Sequence, residues 1–372
     1  MYNPAQWLKY ATRVFRALLL VMAFLLAGAG EEPMAHPEEI QLAAVQMQLD
    51  LDDYWTHGAF EASIRRQLDR VRETADPEVP VLVVFPEDVG LLLVVQGREK
   101  QLAGITSIEE AINRTVRSRL LPVAWTRLIR WKSWVPALLL DRNRVIAETY
   151  FTVFSEAARD YGMYIVAGSV VLPPYRISDG TVEWQRGPLE HSVYNTAYMF
   201  GPDGRVIGKQ DKVELIDLER EAALDLTPGS ISDLEVFDTP LGRIGIAICL
   251  DAFDDAVAGR LAELGTDILV QPSANPGPWN EWQQEDWLRS SHKRVVGDGL
   301  FTYAVNPMLT GPLWDIAFYG QSGIFAQSGA AAGAGYSLLG AEEGFLSVAS
   351  SDTAEEILLE TVRHPALPAD GD

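Results

Sequence analysis

The chain has 372 residues, 48% hydrophobic and 22% charged, the profile of a globular protein with a substantial core. A net charge of −22 excludes nucleic-acid binding through bulk electrostatics. A single cysteine excludes an intramolecular disulfide, a cysteine-rich zinc site and a Cys-x-x-Cys redox pair.

At the N-terminus, Lys9, Arg13 and Arg16 precede an apolar run from Ala17 to Ala27 that ends in Ala27-Gly28-Ala29-Gly30. A basic region, a short apolar region and small residues make the layout of a secretory signal. The run is short of the roughly 20 residues that span a bilayer. Residues 1–33 are therefore read as a signal peptide or membrane anchor, which would place the protein outside the cytoplasm. Translation from Met34 would instead leave it cytoplasmic.

Next, Ile40–Gln48 reads as a buried strand and Gly58–Thr74, apolar at helical spacing, as an amphipathic helix. Val79–Phe85 is a nearly continuous apolar run, the pattern of a strand buried on both faces, and Pro86-Glu87-Asp88 follows it. Residues 98–150 depart from the acidic character of the rest, with ten Lys/Arg against five Asp/Glu. Trp125, Trp131 and Trp134 are interleaved there with Arg127, Arg130 and Lys132. Such a segment suits a helix lying on a membrane surface, or a helical insertion packed on the domain.

Thr152–Tyr161 reads as a helix and Tyr164–Leu172 as a strand. Tyr194–Phe200 and Arg205–Gly208 read as a hairpin turned through Pro202-Asp203-Gly204, and Val236–Asp238 and Arg243–Cys249 as another. Helices are predicted at Asp255–Leu264 and Trp282–Gly297, and strands at Asp267–Gln271, Leu300–Asn306 and Gly320–Ala326. Alternating strands and helices with hairpins imply a mixed sheet covered by helices. The Ala/Gly-rich stretch Gly329–Gly335 and the acidic tail read as a loosely held C-terminal extension over 329–372, after a domain spanning 38–328.

Glu87, Lys212 and Cys249 share one context, because each follows or ends a predicted strand, where active-site crevices commonly open. A cysteine attacks as its thiolate and so needs a base or a cation nearby. Glu87 could accept the thiol proton. Lys212 could sit over a developing oxyanion, helped by the backbone N–H of Leu250. Other schemes find less support. A Cys-His protease would need His191 or His292 beside Cys249. Ser290-Ser291-His292-Lys293 sits in a predicted amphipathic helix whose polar residues would face solvent. The five histidines show no metal-ligand spacing, and no glycine-rich phosphate loop appears.

Phe85-Pro86-Glu87 resembles the glutamate motif of the nitrilase superfamily of carbon–nitrogen hydrolases. Tyr194-Asn195-Thr196-Ala197, with Gly208-Lys209-Gln210-Asp211-Lys212-Val213-Glu214-Leu215, resembles its lysine motif. Gly242–Asp251 (GRIGIAICLD) resembles its nucleophile motif, and Leu261–Leu269 and Phe318–Phe325 also match. The likeness covers about Gln41 to Ala326, apart from the basic insertion. It implies an α/β fold, the four-layer α-β-β-α sandwich of that family, assembled as a homo-oligomer. The implied chemistry is cofactor-free attack by Cys249 on a small-molecule amide or nitrile, through a thioester, with Glu87 as base and Lys212 as stabiliser. Many members place a further glutamate before a Pro-Gly. Ahead of Pro228-Gly229 stand Glu219 and Glu221, of which Glu221 lies nearer the expected offset. Asp251 and Asn275 are further candidates for positioning substrate. Leu250-Asp251 stand where true nitrilases have Trp-Glu, which favours an amide or carbamoyl substrate over a nitrile. The insertion would lie near the mouth of the pocket. Apolipoprotein N-acyltransferases share the catalytic domain but add a multi-helix membrane portion not seen in this sequence, so acyl transfer is the second reading. A binding module that keeps the fold without the activity is the third.

Overall fold

Ile40 to Met47 is buried without interruption in the first strand, β1 (Glu39–Gln48) of the computed structural model, which describes residues 36–130, 133–184, 192–220, 224–327 and 333–367. Side chains alternate across the strand. Ala43, Val45 and Met47 join one hydrophobic core, and Ile40, Leu42 and Ala44 another. In β2 (Val81–Val84) the same alternation sends Val81 and Val83 one way and Leu82 and Val84 the other. Period-two division of continuous apolar strands between two cores requires cover on both faces.

The first core lies against helices. In α1 (His57–Thr74), Phe60, Ile64, Leu68 and Val71 face it, and the Thr56 hydroxyl caps the helix by accepting from the N–H of Ala59. Three helical pieces, α2 (Glu99–Leu102), α3 (Ile108–Ser118) and α4 (Leu120–Arg130), precede the 28-residue α5 (Trp134–Tyr161). Pro136 falls in the first turn of α5, where proline costs no hydrogen bond, and Gly162 ends it in the left-handed conformation. The predicted helix at Thr152–Tyr161 is thus the last third of one running back through the insertion. Nothing between Ala137 and Tyr161 breaks helical geometry.

After α5 come β3 (Tyr164–Leu172), the hairpin of β4 (Tyr175–Ser178) and β5 (Thr181–Trp184), β6 (Tyr194–Phe200) and β7 (Val206–Asp211). Then follow β8 (Val236–Thr239), β9 (Gly242–Ile246), α6 (Asp255–Glu263), β10 (Ile268–Val270), β11 (Ser273–Ala274) and α7 (Glu281–Trp287). The chain continues through β12 (Tyr303–Asn306), β13 (Met308–Leu313), β14 (Ile316–Phe318), β15 (Gly323–Ala326), β16 (Phe345–Val348) and β17 (Glu356–Arg363).

One mixed sheet runs β11-β13-β1-β2-β3-β6-β7, with β14 on β13 and β17 on β1; a second runs β16-β15-β12-β10-β9-β8. The second core fills the space between the sheets and reaches α6 through Val257 and Leu261 and α7 through Trp287. The layers are therefore helix, sheet, sheet, helix, the expected sandwich, within the compact unit Pro37–Asp372.

Two expectations fail. The C-terminal segment is not loosely held, because β17 pairs antiparallel with β1 from Glu39↔Arg363 to Gln46↔Glu356 and buries Leu358 and Val362. The helix predicted at Trp282–Gly297 breaks after α7 and resumes as a wide turn over Lys293–Gly297. Ser290 and Ser291 are buried there and do not face solvent. Arg294 explains the bend, because its guanidinium donates to the carbonyls of Ala252 and Phe253 and to Asp255. Residues 1–33, Trp131, Lys132, His191, Glu221 and most of 329–335 lie outside the described residues.

Candidate active site

β2 stops at Val84, yet the N–H of Phe85 still bonds to the carbonyl of Val166, so the chain leaves the sheet carrying Glu87 in a fixed position. Gly168 makes this turn possible. Its φ is +63°, and a Cβ there would stand 2.0 Å from the carbonyl oxygen of Pro86.

Lys212 follows β7 and is placed by two backbone bonds, its N–H to the carbonyl of Asn195 and its own carbonyl from the N–H of Gly229. The side chain is 1% exposed. Its Nζ donates to Glu87 Oε1 and to Glu219 Oε2, each at 2.7 Å. Asn195 Nδ2 donates to Glu87 Oε1 and Glu219 Oε1, both at 2.9 Å. The N–H of Ala274 donates to Glu87 Oε2 at 3.2 Å, and that of Ile216 to Glu219 Oε2 at 3.0 Å. Two buried carboxylates thus share one ammonium and one amide.

Cys249 was expected to end a strand, but β9 ends at Ile246 and Cys249 opens a short turn, Cys249–Phe253, at φ +49°. For a residue with a Cβ this left-handed conformation carries strain, held here by neighbouring bonds. The N–H of Cys249 bonds to the carbonyl of Pro272, and its carbonyl accepts from Gln271 Nε2. Its Sγ lies 3.9 Å from the carbonyl oxygen of Ala274, in the electrostatic neighbourhood of the Glu87 carboxyl. Leu250 comes next, at the start of the turn, where backbone N–H groups lack acceptors within the turn.

Burial pushes Glu87 above the usual carboxylate range; the Lys212 charge opposes the shift and Glu219 adds to it. Burial also pushes the Cys249 thiol well up, with the Glu87 charge adding and Lys212 opposing. For Lys212 burial acts downward, but the charges facing it, Glu87 first, outweigh burial and hold it protonated. The raised thiol disfavours a preformed thiolate at Cys249.

The structure brings Glu87, Lys212, Cys249 and Glu219 together. It does not bring Asp251 or Asn275 to the cavity wall. Asp251 is fully buried, and its oxygens accept from the N–H groups of Val213, Glu214 and Ile248, tying the lysine loop to the cysteine turn. Burial pushes it up to about 7, with those backbone donors opposing. Asn275 Nδ2 donates to the carbonyls of Gly277 and Tyr319 and so shapes its own loop. His292 Nε2 lies 2.8 Å from the carbonyl of Glu343, and its ring packs on Phe345, serving no triad.

Sequence reasoning did not assign three members of the site. Asn195 stood inside the lysine motif, its strand position marking it as inward-facing. Glu219 was weighed below Glu221. Asp88, next to Glu87, has φ +64° and lines the cavity with its carboxyl raised well above its usual range by burial. Among the described residues no group of His, Cys, Asp and Glu is arranged to hold a metal ion.

A cavity of about 220 Å³ opens on Glu87, Asp88, Lys212, Glu219 and Ala274. Cys249 stands one contact behind Ala274. The insertion supplies part of the far walls, through Ile108, Ile112 and Thr115 of α3 and Val135, Leu138 and Leu139 of α5.

The carbon–nitrogen hydrolase family model matches residues 41–364. The omega-amidase NIT2 of Homo sapiens is 30% identical over 162 residues, 41% of this chain and 50% of that protein. The chloroplastic omega-amidase of Arabidopsis thaliana is 26% identical over 262 residues, 66% of this chain and 63% of that protein. The chain spans about half the length of the first curated relatives it matches. A carbon–nitrogen hydrolase from Helicobacter pylori G27 shares the fold at 20% identity and a TM-score of 0.55, over 87% of this chain and 89% of that one. Matched by the family model from the first strand to the end of the last, the chain belongs to the carbon–nitrogen hydrolase family.

Proposed function

We propose that this protein hydrolyses a carboxamide through a thioester on Cys249. Glu87 takes the thiol proton as Sγ attacks the carbonyl carbon. The oxyanion that forms is met by the Lys212 ammonium and the backbone N–H of Leu250. Glu87 then hands its proton to the nitrogen, the C–N bond breaks and the amine or ammonia leaves. Water attacks the thioester, giving its proton to Glu87, and the acid departs as the thiol is restored. Glu219 keeps Lys212 in place throughout, as a positioning residue.

The observation that supports this reading is the closed hydrogen-bonded cluster of Glu87, Lys212 and Glu219 with the cysteine thiol at its edge. An amide is favoured over a nitrile by Leu250-Asp251, and the two curated relatives named above are omega-amidases. The test is ammonia release from a panel of primary amides and nitriles. Wild type should act on amides, and Cys249→Ala and Glu87→Gln should each lose at least 100-fold, the scale of removing an essential group from a preorganised site. Release that survives Cys249→Ala would contradict the proposal.

A second element of the proposal is contact with a membrane surface through α4. Leu121, Trp125 and Leu128, at 83%, 65% and 69% exposed, form one apolar face at i, i+4 and i+7, and the Arg127 guanidinium lies over the Trp134 ring. Basic residues beside an exposed apolar stripe suit an anionic lipid surface. No helix among the described residues is long and apolar enough to cross a membrane, so the contact would be peripheral. Flotation with vesicles rich in anionic lipid should carry the wild type upward and leave a Leu121→Ser, Trp125→Ser, Leu128→Ser variant behind. Equal flotation of both would sink this element, as would a wild-type dimer that the same triple variant dissociates.

A further inference from the structure

Among the described residues the charged groups of the cavity, Glu87, Asp88, Lys212 and Glu219, stand together at one end. Beyond them the walls, among the described residues, are largely apolar, drawn from separate segments that include Leu92, Ile112, Leu138, Leu224, Trp314 and Phe318, with the Trp314 indole adding one N–H. Thr115 is the one hydroxyl on those walls among the described residues, and it is already spent on the carbonyl of Ala111 in its own helix at 2.7 Å. Lys212 is likewise the one cation on the lining, and both its near neighbours are carboxylates. A substrate tail carrying a carboxylate would find no free cation among the described residues there and would lose its hydration.

We infer that the cavity takes a neutral, straight-chain aliphatic carboxamide with its hydrocarbon chain on the acyl side. This rests on the hydrolase reading for its chemistry and on the cavity alone for its binding. An engineered apolar cavity of about 150 Å³ stays dry and accepts benzene, so one of 220 Å³ suits a chain of about eight carbons. The acyl side is assigned because the acyl group stays on Cys249 through both steps, whereas the amine must leave before water enters. Grip on the chain is therefore useful only on the part that remains.

The test separates binding from turnover. Butyramide, hexanamide, octanamide and glutaramate, a dicarboxylic monoamide, are titrated calorimetrically into Cys249→Ala, which cannot turn them over. Each buried methylene should tighten binding about fourfold, so octanamide should exceed butyramide by about 200-fold. Glutaramate should bind more weakly than hexanamide. Adding Ile112→Trp or, on another wall, Leu91→Trp fills the cavity and should cut octanamide affinity at least tenfold, with a thermal melt confirming that each variant folds. Affinity independent of chain length, preference for glutaramate, or folded tryptophan variants that bind octanamide as before would overturn the inference. Amide hydrolysis by wild type without any chain-length preference would remove this inference and leave the hydrolase reading standing. Tight octanamide binding with no hydrolysis would do the reverse.

Discussion

Lys212 lies between two carboxylates, each with an oxygen 2.7 Å from Nζ, and all three side chains are buried. Removing one partner from such a cluster leaves unpaired buried charge, which typically costs about 3–5 kcal/mol in stability. Loss of activity on truncating Lys212 would therefore mix folding with catalysis, and Glu87→Gln is the cleaner probe. The pH dependence follows from the same geometry. Glu87 must be ionised to accept the thiol proton, and the groups facing it are Lys212, Glu219, Asp88 and Cys249. Burial raises its pKa, so kcat/KM should rise with pH through a midpoint above the free glutamate value of about 4.3. The thiol is raised too, so loss of its proton should give an alkaline limb above the free cysteine value of about 8.5. The two limbs belong to the coupled cluster rather than to single residues. An acid limb at or below the free glutamate value would contradict the assignment of Glu87 as base.

At the scale of elements, strands were legible because two buried faces demand unbroken apolar runs. Tyr164–Leu172 and Tyr194–Phe200 have the predicted bounds. Where a strand yields to the site, tertiary bonds override pattern. Ala247 and Cys249 continue the apolar run of β9, but their N–H groups bond to the carbonyls of Val270 and Pro272, and the turn at Cys249 takes a positive φ. Hydropathy does not encode that reversal. The polar Ser290-Ser291 pair misled for a related reason, since a buried serine bonded within its own turn looks solvent-facing in sequence. Ser290 Oγ donates to the carbonyl of Trp287 at 2.7 Å. Helix α5 was under-read because composition drew a boundary at Tyr150 that the backbone does not observe.

For the whole molecule, the layers and the meeting of Glu87, Lys212 and Cys249 follow from three motifs on strands that the fold stacks together. What the motifs do not carry is the outer wall. The cavity beyond the charged cluster is built by the turn at Leu91–Val95, by α3 and α5, by leucines that follow Lys212 and by the β13–β14 hairpin, and its shape depends on packing between segments far apart in the chain. Pairing of β17 with β1 was equally hidden, because its partner lies more than 300 residues away and the acidic tail masks its apolar alternation.

The central claim is a covalent acyl enzyme on Cys249, and intact-protein mass spectrometry reads it directly. Wild type mixed with a primary amide that it hydrolyses, and quenched in acid within milliseconds to seconds, should gain the mass of that amide's acyl group, and fragmentation should place it on Cys249. The same treatment of Cys249→Ala should add nothing. An adduct that persists in Cys249→Ala, or acid product released by Cys249→Ala at the wild-type rate, would contradict the account.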